Sequence, residues 1–599
     1  MVRSKIVAAT LGLLLCLPTL LSAGTFEVAT REELNALMVR LRATQFLQHA
    51  TFGPTDAEIT ALADRMLQIG VIPAAEEWIE RQFALPATRH ESLAEAMVVA
   101  DGFTPTRTDI NVSRYRYQAW WHNAVAAPDQ LRQRMAWALM QILVVGQSGG
   151  SFNEPSAGPT GQARWLGLSN YYDLLLDNSF NTYRDVLGGV TFHPIMGVWL
   201  SHLRNRKATA TTFPDENYGR EVLQLFSMGL YQLNPDGTHV TDSNGQSVPT
   251  YDNTHVETFA RLFTGLNYAG STTISNGAIN YHQPMVMYEA FHDTNPKQLF
   301  GGVTLPGGTP GVADINAGLD NIYAQPSVGP FICHKLIQRF VRSNPSKGYI
   351  RRVVSRFDNN GSGQRGDLKA VIKAILLDQE AWDGIRMVRR TNPWRLEVSG
   401  EGTERSRLQE PVIAYAHFLR RYGSTDYVNG WFALPSMASN WTQYPYGSPT
   451  VFNFYSPTYQ PSGDLASTNG SQNIPGGSLH APEFQLLDAV ISNRTPNRYR
   501  SDIFNGQTVH TLFSNATLGT FRCTIRYDLS KEIALAPNPS TLAAYLDQTL
   551  CCGTMRNSER QALVSALSVA PQTSSSTPTT RAQAALLCVL TSPAYMIVE

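Results

Sequence analysis

"FPDENYGREVLQLFSMGL", Phe213 to Leu230, concentrates charge in a chain that has little of it. Four of its first nine residues are charged (Asp215, Glu216, Arg220 and Glu221), against 16% Asp, Glu, Lys and Arg overall. Pro214 suits the first turn of a helix, Asp215 and Glu216 suit its positive N-terminal end, and Gly229 suits its close. The spacing predicts a helix over Pro214 to Met228. With Glu216 at 0° on a helical wheel, Arg220 falls at about 40° and Glu221 at about 140°, and Tyr218, Val222, Leu225 and Phe226 fill the opposite arc. Glu216 with Arg220, and Asn217 with Glu221, are i, i+4 pairs. Periodicity alone describes a two-faced surface helix whose ion pair contributes about 0.3–0.5 kcal/mol.

Helical periodicity also dominates the rest of the chain. "REELNALMVRLRATQFLQHA", "PAAEEWIERQFA", "DQLRQRMAWALMQILVV", "HVETFARLF", "GDLKAVIKAILLD", "RLQEPVIAYAHFLRRY" and "TRAQAALLCVLTSPAYMIV" each carry an amphipathic pattern. No array of alternating strands appears. The fold class that follows is mainly α, a multi-helix globular fold with long irregular loops and a few short strands, the latter expected around residues 271–308. The longest irregular segment, Tyr422 to Pro482, is rich in Pro, Gly, Ser, Asn and Tyr. Its aromatics either pin the loop to the core or stack on sugars; Trp441, Phe452, Phe454 and Tyr455 are the expected anchors.

The chain has 599 residues, is 43% apolar and has zero formal net charge. That composition supports a large core and lacks the basic footprint of a nucleic-acid binder. Arg3 and Lys5, the apolar run Ile6 to Leu17, and Leu21-Ser22-Ala23 read as a secretory signal over residues 1–23, with a mature chain from about Gly24. One helical domain is then expected over 24–599, periplasmic or extracellular, with no membrane span. Four cysteines, Cys523, Cys551, Cys552 and Cys588, crowd the C-terminal helical part, residues 520–599. In an oxidising compartment they are expected to form disulfides, Cys523 and Cys588 pairing with Cys551 and Cys552 in an open order. Cys333 falls on the apolar face of a helix and reads as a core residue.

Short catalytic motifs are weak. Gly146-Gln147-Ser148-Gly149-Gly150 matches G-x-S-x-G, but a helix precedes it where a strand is required. "DNNGSGQRGD", Asp358 to Asp367, resembles the start of a calcium loop but has Lys369 at the position of the bidentate Glu; a Gly-rich turn with Asp367 capping the next helix is the simpler account. H-E-x-x-H and C-x-x-C are absent from the sequence.

The order of longer motifs is more specific. "FPDENYGREVLQLFSMGL" resembles the N-E-N-Y-x-R-E-L-x-E-L-F-x-x-G signature of the bacterial "domain of unknown function 1800" family. "QFLQHATFGPTDAEI", "YRDVLGGVTFHPIMGVWL", "VETFARLFTGLNY", "FHDTNPKQLFGG", "SPTVFNFYSPTY" and "APEFQLL" resemble further segments of that family, in the same order. His49 stands where Arg is usual, and Leu266-Asn267 follow Gly265 in place of Trp. The resemblance implies an exported, predominantly helical protein of unestablished activity. Members are often encoded beside an exported sulfatase-like protein, which implies a partner or shared pathway.

The same resemblance singles out His193, Glu216, Asn217, Arg220, Glu221, His292 and Asp293 as candidate site residues, with Arg261 and Lys297 beside them. Carboxylates and imidazoles from three segments suit acid–base chemistry or a divalent metal. They equally suit a buried network in which each polar group satisfies another. Two functions follow: a non-catalytic factor for cell-surface or extracellular polysaccharide assembly or binding, or a metal-assisted or acid–base hydrolase or lyase built around Glu216 and Glu221. Convergence of the candidates on an open cleft would favour the second; mutual pairing in the interior would favour the first.

Overall fold

Helix caps written into the sequence set many of the element boundaries. The computed structural model of the chain describes residues 24–28, 30–275, 277–383, 385–388, 394–398, 406–462, 479–515, 517–569 and 577–598. Thr30 and Glu33 form a capping box, each side chain bonded to the other's backbone N–H at 3.1 Å, and the helix Arg31–Ala50 starts there. Thr55 with Glu58, and Thr182 with Asp185, do the same for Asp56–Ile69 and Tyr183–Phe192. Asp367 accepts from the N–H groups of Lys369 and Ala370 at the start of Leu368–Leu377. The calcium-like stretch is therefore a turn leading into a cap. The G-x-S-x-G stretch leaves the helix Gln130–Met140, and Gly146 bridges to Gly447; no strand–turn–helix elbow is built around Ser148.

The fold is mainly α, and the strands form small sheets of two or three members. Gly24–Val28 pairs antiparallel with Trp394–Val398, and that strand with Ile385–Val388. Gln507–Asn515 and Gly519–Tyr527 make a hairpin extended by Gly423–Thr425. Two-residue ladders join Leu266–Asn267 to Val286–Met287 and Lys297–Gln298 to Thr304–Leu305; all but Leu266–Asn267 lie within the region expected to hold short strands.

One contiguous hydrophobic core runs from Val39 to Tyr595. At its centre Trp120 meets Trp137 and Trp121 with ring centroids 5.0 and 5.2 Å apart, geometry that adds to area burial. The helix Asn217–Gln224 packs against Asn253–Leu262 at very short range. A Cβ on Gly219 would lie 2.9 Å from Ala260 N, so only glycine permits this approach. Tyr218 fills the space beside it, stacked on His202 at 3.9 Å and hydrogen-bonded to Thr191 Oγ1 at 2.7 Å.

The irregular segment after Tyr422 is pinned largely as expected. Trp441 and Tyr455 are buried and Phe454 is half-buried, whereas Phe452 projects into solvent. Residues 463–478 and the signal-like stretch 1–23 lie outside the described residues.

The expected disulfides are not formed among the described residues. Cys523 sits in the hairpin with its Sγ 3.4 Å from Thr425 Oγ1, and Cys552 donates to Gln48 Oε1 at 2.9 Å. Cys588 lies on the helix Thr577–Leu590. Crowding in sequence does not pair these sulfurs: Cys523 lies in a strand, Cys551 and Cys552 at the end of the helix Pro539–Leu550, and Cys588 on another helix. Cys333 is fully buried in the core, as its helical position requires.

Candidate functional site

The helix Asn217–Gln224 is shorter than periodicity predicts at both ends. Asn205 holds Asp215 in a non-helical lead, accepting from its N–H at 2.9 Å and donating to its carbonyl at 3.0 Å. Asp215 in turn accepts from Asn217 N–H at 2.8 Å. The helix closes where Gly229, at φ +77°, and Met228 both donate back to Leu223 O.

Arg220 pairs with Glu216 at 2.8 Å, but the two side chains keep 41% and 44% of their exposure. Asn217 is exposed. Glu221, one step round the helix, is only 7% exposed and its Oε2 has no hydrogen-bond partner among the described residues. Burial raises the Glu221 carboxyl above its ordinary value, and the Arg220 charge offsets part of that rise. Burial and then the Glu221 charge also raise Tyr251, whose hydroxyl donates to Gln224 Oε1 at 3.0 Å.

His292 and Asp293 belong to a second, interior set. His292 is bonded through Nδ1 to Thr264 O at 2.9 Å and through Nε2 to Asp314 Oδ2 at 3.0 Å. Lys297 Nζ donates to the same Asp314 oxygen at 2.5 Å and to the Asp293 carbonyl. The guanidinium of Arg261 makes two hydrogen bonds of 3.1 Å to Asp293. Burial pushes the Asp293 carboxyl up, but the hydrogen bonds from Arg261 and the Asn295 N–H, with the Arg261 and Lys297 charges, bring it below its ordinary value. His292, Asp293, Lys297 and Asp314 are all buried. Every charged member has an oppositely charged neighbour, the condition under which ions are tolerated in an interior.

His193 lies in a third set. It caps the short helix Pro194–Trp199 through Nδ1, which accepts from Ile195 N–H at 3.2 Å, while Nε2 bonds Asn170 Oδ1 at 2.9 Å. Asn170 donates to Glu91 at 2.6 Å, and Glu91 meets His282 at 2.8 Å. Burial, then the neighbouring His282, push the His193 imidazole down to about 3. Among the described residues, no hydrogen bond or ion pair joins His193, Glu221 and His292 to one another. The candidates therefore fall into three separate sets, and no group of three or more His, Cys, Asp or Glu among the described residues is placed to hold a metal ion.

Sequence reasoning missed Asp314, the hub of the second set. It also missed a buried charge cluster formed by Arg134, Arg339, Arg407, Glu410 and Glu483, all at most 2% exposed. Trp137 and Gln141 donate to Glu410 Oε2 at 3.1 Å. Arg339 lies 3.9 Å from Glu483 and over the Tyr455 ring at 4.5 Å. Burial raises Glu483 to about 7 against the charges of Arg339 and Arg407. The usable signal lay in "SPTVFNFYSPTY" and "APEFQLL", which supply Tyr455 and Glu483.

Among the clefts on the surface formed by the described residues are two that none of the seven candidates lines. The larger, about 640 Å³, holds mutually neutralising charges: Lys373 pairs with Glu76 and Glu80, and Arg352 with Asp378. The smaller, about 390 Å³, lies at the start of the helix Tyr115–Ala126 and is lined by Arg114, Arg116 and neutral polar residues. No helix among the described residues is long and apolar enough to cross a membrane.

A family model described as "Protein of unknown function (DUF1800)" matches residues 45–597. No curated protein and no solved structure matches the chain.

Proposed function

The chain belongs to the DUF1800 family, and from that premise we propose that it is an exported, non-catalytic factor that binds polysaccharide at the cell surface or during its assembly, with the exported sulfatase-like protein as a partner. The observation that carries the non-catalytic part is the pairing of His292, Asp293, Lys297, Asp314 and Arg261 in the interior. A general acid or base must reach the proton it transfers. The imidazole and carboxylates of this set, apart from Asp314 Oδ1, are instead engaged by one another or by Arg261 and Lys297, and those of the His193 set by Asn170, Glu91 and backbone groups. The saccharide-binding part draws support from the smaller cleft, whose amide and hydroxyl lining suits a polar ligand.

Titrating the mature protein with a panel of acidic and neutral polysaccharides, while following the length of each glycan, tests the reading. Binding without shortening supports it. Absence of binding across the panel overturns it.

A second reading, acid–base hydrolysis or elimination, is favoured by one observation alone. Glu221 is a buried carboxylate with an unpartnered oxygen and a raised pKa, next to the half-exposed Arg220–Glu216 pair. Glycan shortening that disappears in Glu221→Gln would establish this reading in place of the first.

A further inference from the structure

We propose that the cleft at the start of the helix Tyr115–Ala126 binds an acidic saccharide, through a carboxylate or sulfate ester held by Arg114 above the buried charge of Arg116. This inference rests on the saccharide-binding reading and names its site and ligand class.

Arg116 is 1% exposed, yet every acceptor around it is neutral. Its Nη1 donates to Phe152 O at 3.2 Å, and its Nη2 to Gln147 Oε1 at 3.0 Å, Asn153 Oδ1 at 2.6 Å and Tyr117 OH at 3.2 Å. Its Nε has no partner among the described residues. The ring faces of Tyr117 and Tyr446 lie 5.0 and 5.9 Å from the guanidinium and soften its desolvation without neutralising it. Other buried cations have opposite charges beside them, as Lys297 has Asp314 and Arg560 has Asp547. Arg116 has none among the described residues, so its field is directed into the cleft it lines.

Arg114 supplies the contact. It is exposed at the cleft, and its one hydrogen bond among the described residues, from Nη1 to Leu512 O at 2.8 Å, leaves the rest of the guanidinium fork open to them. Planar donors of this kind take carboxylate or sulfate oxygens in pairs. The remaining lining explains why the anion should be carried on a sugar. Gln118 is buried with its Oε1 unpartnered, and Gln147, Asn153 and Ser436 present amides and a hydroxyl to the same space. An unsatisfied buried acceptor costs stability until a donor such as a sugar hydroxyl meets it.

Calorimetric titration of the full mature chain with a hexauronate, a sulfated hexasaccharide and a neutral hexaglucan tests the assignment. At least one acidic hexamer is expected to bind, with the neutral hexamer weaker by about ten-fold or more. Arg114→Gln, at an exposed position, is expected to leave thermal unfolding unchanged and to weaken the acidic ligand by about ten-fold, the loss of one charge-assisted hydrogen bond. Unchanged affinity in Arg114→Gln, or equal affinity for the neutral hexamer, would overturn the inference while leaving the saccharide-binding reading in place. If no hexamer of any kind binds, both fail together.

Discussion

Lys297 Nζ lies 2.5 Å from Asp314 Oδ2, and the two side chains are 2% and 1% exposed. The same carboxylate oxygen receives His292, and the same ammonium holds the Asp293 carbonyl. One buried ion pair thus anchors two of the residues singled out by the family signature. Asp314→Ala is expected to destabilise the fold by about 3–5 kcal/mol, because it strands a buried ammonium. The double variant Lys297→Met/Asp314→Leu should recover most of that loss. Urea unfolding of the three proteins checks both statements.

The Arg220–Glu216 pair behaves differently. Both side chains remain more than two-fifths exposed, so Arg220→Ala is expected to cost less than about 1 kcal/mol. Gly219→Ala, one residue earlier, should cost more than Arg220→Ala, because the new Cβ would meet the backbone of Ala260 at 2.9 Å. Thermal unfolding midpoints of the two variants rank the effects.

Buried histidines make the fold sensitive to acid. Burial lowers His193 and His417 to about 3 and His90 and His202 to about 4, from an ordinary value of 6.5. The unfolded chain therefore binds protons that the folded chain does not. The stability that depends on these neutral rings is complete above pH 6.5 and is lost as pH falls toward those lowered values. His193→Gln is expected to flatten the dependence by up to about 1.4 kcal/mol per pH unit within that window. Chemical denaturation between pH 4 and pH 7 reads the slope directly.

The aromatic loop gives a contrast within one segment. Trp441 is 1% exposed and packs on Tyr415 with centroids 4.8 Å apart. Trp441→Ala should cost about 3–5 kcal/mol. Phe452, 56% exposed, should tolerate alanine within about 0.5 kcal/mol. A comparable loss at both positions would show that the loop is anchored otherwise.

Much of this fold is legible in local chemistry. The helix Arg31–Ala50 coincides with the periodic run first read from the sequence, because Thr30 and Glu33 mark its start and one face is apolar. Asp367 announces its helix in the same way. What local chemistry does not carry is partnership across distance. Asp314 sits in the first turn of Gly311–Tyr323, where an acidic residue is ordinary, and nothing nearby marks it as the partner of Lys297. The shortened signature helix reflects Asn205, ten residues before Asp215, whose backbone it holds in a non-helical lead. The C-terminal cysteines are close in sequence but belong to different elements, and the expected pairing failed for that reason. Of the candidate site, the residue types were legible, and their division into three separate sets was not.

The central claim is that this protein holds saccharide without transforming it. The most direct measurement incubates the purified protein with a hexauronate and a sulfated hexasaccharide, then records both the bound fraction and the mass of every glycan. The account predicts that the bound acidic glycan is recovered at its original mass, with binding weakened in Arg114→Gln and unaffected in Glu221→Gln. Shortened or unsaturated products that vanish in Glu221→Gln would contradict it.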